Sequence, residues 1–445
     1  MVVKWLVLIS IFFSAKLFAI SNGFGIINSN LNTIQIGERG STLGGILVAR
    51  VDDLSAAFYN PAGLTHLAKN SFSASASSYT TSKLELTDSK PLNKLNSVAS
   101  FVSSAIKKNK FTYAFSVCTP LYSENNLDQI EQETSKKLYL KDSYASNFNI
   151  ISPGLSIAYQ INSNNSIGAS IKLYNANLKS SLNTNLTAEF SGNTHKIVGH
   201  YQSNFESNLL RAELGYQFEK SGLSLGFLLK SPTQKISSKG NFFHNQIYNY
   251  SNSLSQDTTI DNISENNLDF DFQLPPELKI GAAYLFDKWD IEFDFSWSGN
   301  IKNKPITKKT ITKYASEIYT DDWGTSVTNS QNQYNINSFN FKSKINYGIS
   351  SSYRLGKSFL VAASIFTDYS PTSKVNSDTD LFTPIDLKGY TVGISRFSEV
   401  TSMTISYFQS QGTYQYKTTD VFNTSYTENL NIKNMGITLS GSVYY

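Results

Sequence analysis

Strict alternation of apolar and polar residues is the feature that most constrains how this chain of 445 residues can fold. The clearest example runs from Trp289 to Trp297, where tryptophan, isoleucine and phenylalanine alternate with aspartate, glutamate and serine. Successive side chains of a β-strand point to opposite faces, so this segment predicts a strand with one apolar face and one charged face. The same pattern recurs in four further segments: 210–218, 278–286, 403–407 and 435–445.

About fourteen segments of this kind follow residue 69, and the connections between them alternate in length. The predicted strands lie near residues 70–80, 96–106, 110–120, 145–161, 166–180, 204–218, 222–231, 269–286, 289–300, 338–353, 358–369, 386–396, 400–412 and 430–445. Tight turns are followed by long polar segments, namely 121–144, 181–203, 232–268 and 301–337. Short turns on one rim and long loops on the other are typical of outer-membrane barrels. The sequence therefore predicts an all-β protein, a transmembrane antiparallel β-barrel of about fourteen strands.

Composition agrees with a barrel that has a wet interior. Apolar residues make up 40% and aromatic residues 13% of the chain, and the mean hydropathy is −0.25. A soluble chain of this length normally carries more aliphatic core, whereas a polar lumen and an aromatic-rimmed outer face need this balance. The single cysteine, Cys118, rules out an internal disulfide.

The stretch at residues 44–64 precedes the strands and is the apolar segment that least resembles a strand. Asp52 and Asp53 can cap a short helix over residues 54–58. Pro61 should end that helix, because the residue before a proline is pushed out of the α region, and a tight turn should follow. A compact, partly apolar N-terminal piece before a long run of strands predicts a plug inside the barrel.

The nine residues from Ala56 to Leu64, Ala-Ala-Phe-Tyr-Asn-Pro-Ala-Gly-Leu, resemble the plug, or hatch, of the FadL family of outer-membrane transporters. Further motifs fall at matching strand ends: residues 119–121, 152–155, 230–232, 274–281 and 368–371. The resemblance implies a hatch at 20–67 inside a barrel at 68–445. It also implies uptake of long-chain fatty acids or similar hydrophobic compounds, with a sideways exit through a kinked third strand. Residues 111–118 contain no glycine or proline that would produce such a kink.

The two ends of the chain carry targeting signals. Lys4, the apolar run at 5–13 and the site Leu17-Phe18-Ala19 predict a secretory signal peptide at residues 1–19. The alternating C-terminal segment 440–445 ends in an aromatic residue, which resembles the signal read by the barrel-assembly machinery. We therefore expect the outer membrane of a Gram-negative-type bacterium, with membrane lipid and the assembly machinery as partners. The formal net charge of +4 is too small to favour nucleic acid.

Two groups of apolar residues are candidates for ligand contact. The resemblance places one group along the ligand path in the hatch: Phe58, Tyr59, Asn60, Pro61, Ala62 and Leu64. The alternative for this group is a turn that only packs the plug. The second group lies in the predicted outer loop 232–268: Phe242, Phe243, Ile247, Tyr248 and Tyr250. An exposed apolar patch there would capture the acyl chain first, and the alternative is that the aromatic residues pack the loops over the barrel mouth.

Charged residues predicted to face the lumen form a third candidate. A cation, Arg50 or Arg211, could bind the carboxylate of a ligand at the end of its path. The alternative is a set of salt bridges that hold the plug in place. The candidate carboxylates are Asp52 and Asp53 on the plug, and Glu213, Asp290, Glu292 and Asp294 on the strands.

Inventory argues against an enzyme. The chain has four histidines, His66, His195, His200 and His244, and none has the spacing of a nucleophile and its base. No metal-ligand spacing or phosphate-binding glycine loop is present, so no catalytic residue, metal or cofactor is predicted. We expect a monomer that takes up a hydrophobic small molecule. A general porin for small polar solutes and a structural or adhesin barrel without transport are the alternatives.

Overall fold

The computed structural model describes residues 27–445 except 29, 31–33, 86–93, 134–136, 191, 253, 306, 308, 310, 335–337, 373–381 and 420–424. The signal peptide at 1–19 lies outside the described residues and stays a prediction. The N-terminal region contains two short α-helices, Gly37–Thr42 and Ala56–Tyr59, and the 3-10 helix Pro61–His66. Within the described part of the chain, no helix has both the length and the apolar character needed to cross a membrane.

Most of the described chain is β-strand. The strands are β1 (Ile27–Asn28), β2 (Ser71–Glu85), β3 (Lys94–Lys108), β4 (Phe111–Glu133), β5 (Leu138–Gln160), β6 (Asn165–Phe190), β7 (Asn193–Lys220), β8 (Leu223–Lys230), β9 (Gln234–Ser251), β10 (Ser255–Glu265), β11 (Glu277–Phe286), β12 (Trp289–Ser298), β13 (Ile301–Pro305), β14 (Ile311–Asp321), β15 (Gly324–Tyr334), β16 (Ser338–Phe341), β17 (Lys344–Leu355), β18 (Phe359–Asp368), β19 (Phe382–Thr383), β20 (Leu387–Phe397), β21 (Thr401–Thr419) and β22 (Ser425–Tyr444).

Fourteen of these strands close into one antiparallel barrel, as the sequence predicts. The order around the wall is β2 to β8, then β11, β12, β17, β18, β20, β21 and β22, and β22 pairs again with β2. Each of these strands corresponds to one of the predicted segments. Closure pairs each strand with a neighbour on both sides, which matters inside a bilayer because an unpaired backbone group there would be costly.

Side-chain alternation in the wall follows the predicted inside and outside faces. Along β12, Phe293 is 50% exposed on the outer face, whereas Asp294 is only 8% exposed on the lumen side. Strand β7 behaves in the same way, with Leu214 outside and Arg211 inside. Exposed apolar side chains of neighbouring strands form an outer belt, as expected for a surface in contact with lipid; among them are Ile151, Ile171, Leu214, Phe293, Ile349 and Ile365.

The prediction of long polar loops is wrong for most of their length. Segments 121–144 and 181–203 are largely the outer ends of β4 to β7, which run on as long hairpins. Segments 232–268 and 301–337 contain β9, β10, β14 and β15, which form a four-stranded sheet beside the outer half of β7. Strand β15 is exposed along its described length, and the few buried residues of the other three strands are set among polar ones, so their sequences lack the apolar alternation that marks a buried strand.

Strand β11 begins at Glu277 rather than near residue 269 as predicted. The alternating apolar residues before it belong to an irregular segment, residues 266–276, which we call the strap. Pro275 and Pro276 separate the strap from β11, because a proline has no N–H to donate to a strand ladder.

The hatch, described here as residues 34–67, lies inside the barrel. Its second helix begins after Ser55, and no side chain caps it, so the predicted capping by Asp52 or Asp53 is wrong. Asp53 instead accepts hydrogen bonds from the backbone N–H of Arg39 and from the Ser55 hydroxyl. The helix ends before Pro61 as predicted, but a 3-10 helix follows in place of a simple turn.

Candidate functional site

Glycines in the wall let the hatch backbone lie directly against the strands. A Cβ atom added at Gly168 or Gly215 would come closer than 3.0 Å to the Asn60–Ala62 turn. A Cβ atom at Gly226 or Gly281 would come equally close to the backbone of residues 48–49. Gly168 pairs with Gly215 across β6 and β7, and Gly226 pairs with Gly281 across β8 and β11. We call these four residues the glycine cradle, because only glycine leaves room for a backbone at this distance.

The Asn60-Pro61-Ala62 turn is a structural joint between the hatch and the cradle. The Asn60 side chain donates to the carbonyl oxygens of Val48 (2.8 Å) and Tyr216 (3.2 Å), and its Oδ1 accepts from the Ala62 N–H (3.2 Å). An amide supplies both donors and an acceptor, which a carboxylate at neutral pH could not do. Ala62 is completely buried against the wall, so a larger side chain has no space.

Three carboxylates on β12 bind the other side of the hatch. Asp294 accepts from the N–H groups of Leu47 (2.8 Å) and Val48 (3.1 Å), and Glu292 accepts from the N–H of Ala49 (2.6 Å). Asp290 lies 3.7 Å from Nε of Arg50. These contacts lie in a buried setting, where hydrogen bonds are stronger than in water.

Arg50 is held by protein groups rather than directed at an open path. Its guanidinium donates to Gly222 O (2.9 Å) and Ser224 Oγ (2.8 Å) and lies 3.3 Å from Glu219. The geometry therefore supports salt bridges that hold the plug, the alternative considered for this residue. A role for Arg50 as a carboxylate partner of the ligand stays a prediction.

The first hatch helix is fixed to the opposite wall by Glu38. One carboxylate oxygen accepts from the hydroxyls of Ser402 and Ser442, both at 2.7 Å, and the other accepts from Thr404 at 2.9 Å. Through its helices, hydrogen bonds and cradle contacts the hatch touches all fourteen strands of the barrel. The described hatch thus contacts the wall around its whole circumference.

Two open cavities lie between the hatch and the barrel mouth. The lining of the first includes Leu121, Ile150, Tyr174, Arg211, Lys230 and Leu274. The lining of the second includes Ile34, Gly45, Tyr59, Asp294, Tyr347 and Phe366. Three residues line both cavities: Phe58, Pro120 and Asn346.

The strap covers the first cavity with a layer of apolar side chains. Leu268, Phe270, Phe272 and Leu274 are buried in one cluster with side chains of β4 to β7 and β9. Phe272 packs edge-to-face on Phe148, with ring centroids 5.5 Å apart. Arg211 lines the cavity and donates to Pro275 O at 2.8 Å, so this predicted ligand cation also holds the strap.

The predicted capture patch is not an exposed surface. Its five residues lie on β9, where Phe242 is 1% exposed and belongs to the strap cluster. Phe243, Ile247, Tyr248 and Tyr250 are partly buried. Tyr248 hydrogen-bonds His195 on the neighbouring strand at 2.8 Å. These contacts fit the alternative, in which the aromatic residues pack the outer segments together. A role for this group in ligand capture stays a prediction.

The backbone ladder between β3 and β4 is incomplete, which leaves an opening in the hydrogen-bonded wall; one side-chain bond, from Thr119 Oγ1 to Ala99 O at 3.0 Å, crosses the start of this opening. Among the described residues, ladder pairing between these strands stops at Phe101 and Cys118, and beyond that point β3 pairs with β2 while β4 pairs with β5. Thr119 and Pro120 together oppose the single residue Ile151, which is a β-bulge at the start of the opening. We call this opening the lateral gap. Its irregularity lies just beyond residues 111–118, where the sequence offered no signal for a kink.

The lateral gap connects the hatch region with the outer belt. Ile151 is 42% exposed and belongs to the belt, so the gap begins at the height of the lipid-facing surface. On the inner side, Val98 of β3 and Tyr122 of β4 pack against the hatch cluster. Pro120 lines both cavities. The boundary between the two cavities thus lies beside the discontinuity in the wall.

The fold and the site together define a transmembrane β-barrel closed by its own N-terminal hatch. The fold is shared by a Pseudomonas aeruginosa FadL homologue, at 12% identity over 95% of this chain and 99% of that chain with a TM-score of 0.57. CymD, a monoaromatic hydrocarbon channel, gives 14% identity over 93% and 99% with a TM-score of 0.53. The Pseudomonas putida toluene transporter TodX gives 12% over 95% and 99% with a TM-score of 0.54. These likenesses confirm the FadL-type fold expected from the sequence. No protein-family profile and no curated protein matches the chain.

Proposed function

We propose that this protein carries hydrophobic compounds inward across the outer membrane of a Gram-negative-type bacterium. Long-chain fatty acids and monoaromatic hydrocarbons are the substrate classes that we favour. The observation that carries the proposal is the lateral gap, which begins beside the exposed belt residue Ile151 and lies next to cavities lined by Phe58 and Pro120. Transfer from water into the cavity lowers the free energy of an apolar molecule. When the molecule then moves into lipid, it stays in apolar surroundings.

The ligand path runs from the barrel mouth, beneath the strap, past Phe58 and out through the lateral gap. The residues Tyr59, Asn60, Pro61, Ala62 and Leu64 support this path by fixing the hatch rather than by binding the ligand. A membrane exit does not require the hatch to leave the lumen. The protein acts as a non-enzymatic monomer, and its insertion depends on the barrel-assembly machinery and the surrounding lipid.

A sealed hatch distinguishes this function from that of a general porin. Small polar solutes need a continuous wet channel, whereas the hatch contacts all fourteen strands and its residues from Ile46 to Val51 are buried or nearly so. Hydrophobic solutes need only the cavities and the gap. An adhesin or purely structural barrel would need neither of these features.

The proposal is tested by uptake in a host that lacks its own hydrophobic transporters. We expect cells that make the wild type to import labelled oleate or toluene faster than the empty host, with no gain in uptake of a small sugar. A variant lacking residues 34–67 serves as the control, because it should admit the sugar. Sugar influx through the wild type equal to that of the control would favour a general pore, and no uptake of any probe would favour a structural barrel.

A further inference from the structure

We propose that the ring of Phe58 is the gate between the two cavities and that two buried lysines of the wall hold it closed. The gate sets the width of the molecules that can pass from the mouth towards the lateral gap. This inference rests on the proposed function and adds the residue that determines size selectivity within it.

The position of Phe58 between the cavities is the first observation. Phe58, Pro120 and Asn346 line both cavities, so these three residues form the boundary that separates them. Phe58 is the one member of this boundary that belongs to the hatch. Its side chain is buried, with 6% exposure, and its ring packs edge-to-face on Tyr59 with centroids 5.1 Å apart.

Two ammonium groups lie over the Phe58 ring. Nζ of Lys172 lies 4.9 Å from the ring centroid and Nζ of Lys230 lies 5.1 Å from it. Both distances fall within the range of a cation–π interaction, and such interactions are stronger where water is excluded. Lys172 also approaches the carbonyl oxygen of Phe58 at 3.4 Å, so it binds both the backbone and the ring of this residue.

The two lysines are themselves fixed to the wall. Lys172 donates to Glu213 at 2.7 Å, and both side chains are fully buried. Lys230 lies 3.3 Å from Glu277, which also lies 3.4 Å from Lys279. The ammonium groups therefore stay with the strands when the ring moves, and they favour the position in which Phe58 separates the cavities.

The other two boundary residues are rigid by comparison. Pro120 has a fixed backbone angle and lies in the bulge of β4. Asn346 on β17 accepts from the N–H of Tyr369 at 2.7 Å, which fixes its side chain. Rotation of one phenylalanine side chain is then the smallest change that joins the cavities. A narrow unbranched chain passes with little displacement of the ring, whereas a flat fused-ring molecule needs the ring to move away.

The experiment compares uptake of labelled dodecane and labelled pyrene in cells that make each variant. Phe58→Ala should raise the ratio of pyrene to dodecane uptake about tenfold over the wild type. Phe58→Leu and Lys230→Met should raise it by a smaller factor, because the first narrows the side chain and the second removes one ammonium group. The ratio cancels differences in the amount of folded protein. Leu54→Ala is the matched control, since Leu54 is equally buried in the hatch but lines neither cavity.

An unchanged ratio in Phe58→Ala, or an equal rise in Leu54→Ala, would overturn the gate. A second measurement keeps the gate separate from transport itself. Each protein is purified from cells grown with pyrene, and the pyrene retained per mole of protein is measured after a detergent wash. Phe58→Ala should retain several-fold more pyrene than the wild type and Leu54→Ala. If the wild type takes up neither probe but Phe58→Ala still retains more pyrene, the proposed function is refuted and the gate is not. If Phe58→Ala retains no more pyrene than the wild type, the gate is refuted.

Discussion

Replacement of Gly226 by alanine should loosen the hatch without opening the barrel wall. Gly226 lies on the inner face of β8, and an added Cβ atom would overlap the carbonyl group of Val48 and the Cα atom of Ala49. The overlapping atoms are backbone, which cannot rotate away as a side chain can. The hatch backbone must therefore move off the wall, while the ladder of β8 with β7 and β11 needs no change.

The cost can be built from the contacts that this movement disturbs. Overpacking in a close-packed region costs about 1–3 kcal/mol. The displaced backbone also weakens the hydrogen bond from Asn60 to Val48 O and the one from Ala49 N to Glu292, each worth about 1 kcal/mol. A total of about 3 kcal/mol would raise the fraction of undocked hatch about a hundredfold.

Conductance of the purified protein in planar lipid bilayers reports on hatch docking. The wild type should be closed to small ions for long periods, and Gly226→Ala should show frequent openings. Gly441→Ala is the matched control, because the nearest atom to its added Cβ is 3.5 Å away. If Gly226→Ala opens as rarely as the control while both proteins are folded, the close approach of hatch and wall does not hold the hatch in place.

Three further predictions test other parts of the structure. Phe293→Arg should block assembly in cells, because a charge at mid-membrane on the outer face costs about 2–4 kcal/mol; the surface level of the protein measures this effect. Asp294→Asn should assemble but weaken hatch docking by about 1–3 kcal/mol, which bilayer conductance measures. Burial raises the pKa of Asp53 to about 6 from the ordinary 3.8. The folded hatch thus binds the proton of the Asp53 carboxyl group more tightly than the unfolded chain does. The contribution of Asp53 to stability is therefore full below about pH 4 and is lost as pH rises through about 6. Hydrogen exchange of the hatch should follow this dependence, and Asp53→Asn should remove it. Phe272→Ala should cost the strap cluster about 3–5 kcal/mol, and protease added to intact cells should then cut the strap faster than in the wild type.

The inside and outside faces of the wall were predictable because the membrane imposes them on each strand separately. Phe293 and Asp294 are neighbours with opposite surroundings, and period-two alternation encodes that difference locally. Beyond the membrane this constraint disappears, so polar strands such as β14 and β15 look like loops. Alternation also misassigned residues 269–276, where apolar side chains point into the barrel mouth without a ladder to support them.

The candidate site was predictable only in its hatch half. The turn at Asn60 has a local signature, but its partners in the glycine cradle are more than a hundred residues away for Gly168 and Gly215. Lys172 is 114 residues from Phe58, and nothing in either local sequence indicates the pairing. Strand register around a closed barrel decides which wall residues meet the hatch, and a single sequence does not reveal register. For the same reason the expectation that Asp294 lies in a wet lumen was wrong: it is hydrogen-bonded to the hatch backbone.

Closure of the lateral gap is the most direct test of the transport path. Val98→Cys and Tyr122→Cys are introduced together with Cys118→Ala, and a bifunctional methanethiosulfonate reagent joins the two new thiols across the gap. The two single-cysteine variants, treated in the same way, control for the bulk of the reagent. The lateral path predicts that cross-linked cells lose oleate or toluene uptake and recover it when a reductant releases the linker. Full uptake in the cross-linked state would show that hydrophobic molecules leave by another route and would contradict the account.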